Sequence, residues 1–142
     1  MRNFNKAKSF YQNTEKSSLQ SQDPIAIVKT MVGELKKSMD KVVISTGVDN
    51  QRQFRAKYFS RSLVIIYTLQ TTLDFEKGQK LAAKLFQLYE FCRQQLIKCF
   101  REQVVEGVKK AMNALEEIFI TNTFKFYHAI SSACASVISS RI

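Results

Sequence analysis

Histidine, cysteine and paired carboxylates are the side chains most often recruited for catalysis or metal binding, and in this chain of 142 residues they are few and scattered. His128 is the single imidazole, too little for a histidine-based zinc site or a redundant triad. No Cys or carboxylate stands at a recognisable catalytic spacing from it. Cys92, Cys99 and Cys134 contain no CxxC pair, and their odd number does not suit a disulfide framework. Cys92 and Cys99 sit seven residues apart on one helical stripe, where thiols serve as small buried hydrophobes. Gly78 and Gly107 are isolated, without the glycine-rich loop that cradles a phosphate. Glu116 and Glu117 are adjacent and so point in different directions on a helix. The sequence predicts a protein that is not an enzyme and that carries no metal or cofactor.

What the residues do offer is apolar surface at helical spacing. With one Pro and four Gly, and apolar residues grouped at intervals of three and four rather than two, the chain reads as all-α. Asp23 and Pro24 form an N-cap and first helical position, and Val28, Val32, Leu35, Met39 and Val42 follow as one seam. Gly47 stands where a C-cap reverses the chain, and Asn50 followed by Gln53 reads as a capping-box-like start for a second helix. There Phe54, Tyr58, Ile65, Leu69 and Leu73 share a face, which Phe59, Leu63 and Ile66 extend round one side. A third helix restarts at Asp74, whose carboxylate can cap the first free N–H groups, with Glu76 adding favourable charge. Its stripe is Leu81, Leu85, Leu88, Cys92, Leu96 and Cys99. A fourth helix, from about Val104 to Ile120, has the seam Val105, Val108, Met112, Leu115 and Phe119. Short turns make these helices antiparallel neighbours.

The expected architecture is an antiparallel up-down four-helix bundle over residues 23–120, with a flexible N-terminal arm at 1–22 and an extra C-terminal helical segment at 121–142. The arm is rich in Asn, Gln, Ser and Lys, with Phe4, Phe10, Tyr11 and Leu19 as its apolar anchors. In the extension, Tyr127, Ile130, Cys134, Val137 and Ile138 keep a helical pattern. Packing as an added helix, continuing the fourth helix and covering a groove all satisfy that pattern.

Helices two and three hold more apolar surface than a seam requires. Ser62 to Tyr67 is apolar almost all round, and Ala82, Phe86, Tyr89 and Phe100 lie progressively round one side of the third stripe, with Phe91 on the other. The order Leu73-Asp74, Glu76-Lys77-Gly78, Leu81-Ala82, Leu85, Leu88-Tyr89, Glu90, Phe91 resembles the signature of FliS-type flagellin export chaperones. Ser18-Leu19 with Asp23-Pro24 extends the resemblance to about residues 18–120. The chain departs from the family at Lys84, where Asn is common, at Met31-Val32, where Leu-Tyr is common, and in having no Trp.

The resemblance implies a monomeric cytosolic chaperone that covers the disordered C-terminal segment of flagellin. It further implies a membrane export-gate component as second partner, and a regulatory flagellar factor as another. It implies also that an N-terminal arm can lie over the cargo surface, which makes Phe10, Tyr11 and Leu19 placeholders in the groove; a plain disordered tail fits these letters equally. The surplus residues Phe59, Leu63, Ile66, Tyr67, Ala82, Leu85, Phe86 and Tyr89 are the candidate flagellin-binding groove, set against the competing reading that they pack inside.

The net charge of +10 supports a competing class, a basic helical nucleic-acid-binding or assembly module. The excess is spread along the chain, and its densest cluster, Arg52, Arg55, Lys57 and Arg61, reads as the solvated face of helix two, so no nucleic acid is expected. The longest apolar run, Leu63 to Tyr67, falls far short of the roughly 20 residues that span a bilayer, and the N-terminus has no apolar signal-like core. A cytoplasmic location is expected.

Overall fold

The computed structural model describes residues 24–121, and every described element is helical: α1 Pro24–Ser45, α2 Arg52–Thr71, α3 Phe75–Glu102 and α4 Glu106–Thr121. Each helix packs on the next and α4 closes back on α1, the all-α four-helix bundle that the seams anticipate. Asp23, the N-terminal arm and the C-terminal extension, with His128 and Cys134, lie outside the described residues.

The core follows from the seams. In α1, Val28, Val32, Leu35, Met39 and Val42 are all buried, joined by Ile27. The α3 stripe from Leu85 to Cys99 is buried with Ala82 and Tyr89, and α4 contributes Val108, Ala111 and Leu115. Cys92 and Cys99 are free and buried, filling the seam as small apolar groups. Removing the side chain of a core leucine such as Leu85 or Leu35 leaves a cavity as well as lost transfer energy, which together cost about 2–5 kcal/mol.

Gly47 takes φ +78 after α1 and supplies the left-handed turn expected there. The capping box at Asn50 does not form. Asn50 is itself left-handed at φ 69, so its side chain is not in the extended geometry an N-cap needs. Gln51 takes the N-cap position with no side-chain cap bond, and Arg55 N–H donates to the Gln51 carbonyl at 2.9 Å. Helix α4 starts two residues later than expected, at Glu106, because Gln103 at φ 59 ends α3 and leaves Val104 exposed in the connection.

The inward face of α2 is also rotated from the expected one. Ser62, Ile66 and Leu69 are the buried positions, while Tyr58, Ile65 and Leu73 flank them and Phe54 is exposed. Ser62 can be buried because its hydroxyl donates to the Tyr58 carbonyl at 2.8 Å, and Thr72, just past the helix, likewise donates to the Leu69 carbonyl at 2.7 Å.

Asp74 caps α3 as expected, its carboxylate accepting from Glu76 N–H at 3.0 Å and Lys77 N–H at 3.1 Å. The helix is not continuous, however. Gln79 sits at φ 45, ψ −123, so a single turn carrying Phe75 is set off from the long segment that carries the seam.

Candidate partner-binding site

The flank of α2 that faces α3 carries Phe59, Leu63, Ile66, Tyr67 and Gln70, spaced at i, i+4, i+7, i+8 and i+11. Opposite them α3 brings Phe86, Glu90, Arg93 and Phe100. Two contacts join the flanks, and a third lies within α3. Phe59 stacks on Phe100 with ring centroids 4.3 Å apart, towards the end of the bundle where α2 begins and α3 ends. Midway, Gln70 Nε2 donates to Glu90 Oε1 at 3.0 Å, and Arg93 binds both oxygens of the same carboxylate at 2.8–3.2 Å. At the other end Phe75, on the set-off first turn, meets the edge of Phe86 at 6.0 Å.

The eight groove candidates divide into two layers. Ile66, Ala82, Leu85 and Tyr89 are closed into the core, each at most 1% exposed. They are closed off from solvent and act on the surface only from beneath. Phe59 and Leu63 are partly exposed, Phe86 is 38% exposed and Tyr67 is 58% exposed. The placeholder residues Phe10, Tyr11 and Leu19 lie outside the described residues.

Four contributors were not assigned to the site from the sequence. Phe75 is 52% exposed beside Phe86, and its position directly after the Asp74 cap is the signal that places it on the surface at the head of α3. Gln70, Glu90 and Arg93 carry no apolar signal; only the i, i+3 spacing of Glu90 and Arg93 hints at an ion pair. That pair has an electrostatic signature. The hydrogen bonds from Arg93, and then from Gln70, hold the Glu90 carboxyl below its ordinary value, and Glu90 in turn raises Arg93.

Arg55 and Arg61 of the basic cluster on α2 are engaged within the bundle, and Lys41 of α1 reaches α2. Arg61 pairs with Glu34 of α1 at 3.1 Å, and Arg55 donates to the Ser45 carbonyl at 2.8 Å. Lys41 donates to the Tyr58 hydroxyl at 3.2 Å and lies over its ring, and that hydrogen bond lowers the phenol pKa.

Chemistry is confined elsewhere as well. Burial pushes the Cys92 thiol up to about 12, so it is protonated and inert at neutral pH. No group of three or more His, Cys, Asp or Glu side chains converges on a metal position among the described residues. No described helix is long and apolar enough to cross a membrane. What remains is an aromatic and aliphatic surface on a rigid two-helix support, suited to holding another chain's apolar side chains.

No curated protein matches this chain. A family model described as flagellar protein FliS matches residues 7–123, which takes in all four helices and the α2/α3 surface. Over that span the chain is a member of the FliS family of flagellar chaperones.

Proposed function

We propose that this protein is a cytosolic export chaperone that binds the disordered C-terminal segment of flagellin and keeps it from polymerising. The observation that carries the reading is the layered α2/α3 surface, with Phe59, Leu63, Tyr67 and Phe86 outermost over Ile66, Ala82, Leu85 and Tyr89. An amphipathic segment that folds as it binds lays its apolar side chains onto such a surface, and the buried area offsets the cost of ordering it. No nucleotide is needed for this exchange. Phe10, Tyr11 and Leu19 are the proposed placeholders on the surface before cargo arrives. In this reading the monomeric chaperone hands flagellin to a membrane export-gate component, with a regulatory flagellar factor as a further partner.

Calorimetric titration with the flagellin of the same organism, whole and lacking its C-terminal segment, tests the proposal. Saturable binding of the whole protein and none of the truncated one is expected. Equal binding of both would move the contact elsewhere on flagellin. A complex that collapsed steeply with rising salt would point instead to charge-driven association.

A further inference from the structure

Where α1 meets α4, the bundle leaves a groove of about 260 Å³ lined by Lys29, Val32, Gly33, Lys36, Leu115, Glu116 and Phe119. Its rim is held by the ion pair of Lys36 with Glu116 at 3.3 Å. Gly33 is the unusual member. It lies in the middle of α1, where glycine weakens a helix relative to alanine, and among the described residues nothing stands within 4 Å of where its side chain would begin. The described chain therefore does not use the close approach that this glycine permits.

The groove opens beside the end of α4. Thr121, the last described residue, is two positions beyond Phe119 on the groove wall, and 21 residues follow it. We propose that residues 124–142 of the C-terminal extension return along the α1/α4 junction and seat their apolar stripe of Tyr127, Ile130, Cys134, Val137 and Ile138 over Gly33. The length fits. After a reversal at 122–126, a helical stretch from Tyr127 to Ile138 covers roughly 18 Å, against about 10 Å for the α1 wall from Lys29 to Lys36. The extension lies beyond the family match, which ends at residue 123, whereas most of the N-terminal arm lies within it. The arm's anchors are also too sparse to form a stripe, with Phe10 and Tyr11 nine and eight residues from Leu19. This placement leaves the α2/α3 surface open and does not depend on what binds there.

The full-length chain supplies its own probe, because Cys92 and Cys99 are buried and Cys134 is the remaining native thiol. In full-length Gly33→Cys under mild oxidation, an intramolecular disulfide between positions 33 and 134 is expected, and Cys134→Ser should abolish it. In Gly33→Cys/Cys134→Ser, maleimide labelling of position 33 should speed up about tenfold or more when Ile130→Asp and Ile138→Asp are added. Circular dichroism confirms that each variant retains its helices. The proposal is overturned if position 33 labels equally fast with and without the tail substitutions, if the disulfide forms only between two chains, or if Phe10→Asp and Tyr11→Asp are what release the labelling.

Discussion

Gln79 holds a backbone conformation that glycine adopts freely and that a glutamine side chain opposes. Gln79→Gly is therefore expected to stabilise the fold by about 0.5–1 kcal/mol in urea unfolding, despite lying within a helix. A loss of stability would mean that the break in α3 is absent in solution. Nothing in the letters announces this break beyond the neighbouring Gly78. Asp74, by contrast, was legible because a carboxylate before a run of helical spacing has one dominant local use. Cys92 and Cys99 were legible for a similar reason, their seven-residue spacing on an apolar stripe. With the Cys92 pKa near 12, residue-resolved thiol labelling at pH 8 should leave Cys92 unmodified in the folded protein and modify it in denaturant.

At the scale of the elements, seams of three helices could be read directly, whereas the α2 face could not. Ser62 and Thr72 look like surface residues until their hydroxyls are seen to bond back to the preceding turn, which lets both be buried and turns the helix from the expected face. Helix starts depend on one side chain each and test cleanly. Asp74→Ala removes the acceptor for two N–H groups and should cost about 1 kcal/mol, measured as a shift in the urea midpoint. The α2/α3 clasp tests through pH. Because the folded-state pKa of Glu90 is depressed, its contribution is present above the ordinary value of 4.5 and is lost as pH falls through the lower folded value. Glu90→Gln should therefore lower stability by under about 1 kcal/mol at pH 7, and the difference from the parent protein should shrink in acid. A difference independent of pH would assign the effect to packing.

For the molecule as a whole, the surplus of apolar residues singled out helices two and three but did not separate surface from core. Burial depends on the rotation of each helix against three others, which no single seam encodes. Hence Tyr67 and Phe86 face outward, while Tyr89 and Leu85, equally apolar and close to Phe86 on the same helix, close the core. Part of the +10 charge is taken up in contacts such as Arg61 with Glu34 and Lys41 with Tyr58. Ile44, 62% exposed near the α1 end furthest from Phe86, provides an internal control, since the same change there alters surface apolarity without touching the proposed site. The most direct measurement is the affinity for the C-terminal flagellin segment of three full-length proteins: parent, Tyr67→Asp/Phe86→Asp, and Ile44→Asp. The account predicts a loss of about 2–4 kcal/mol in binding for the double variant and a change below about 0.5 kcal/mol for Ile44→Asp, with helicity retained in all three. Equal affinity in the parent and the double variant would contradict it.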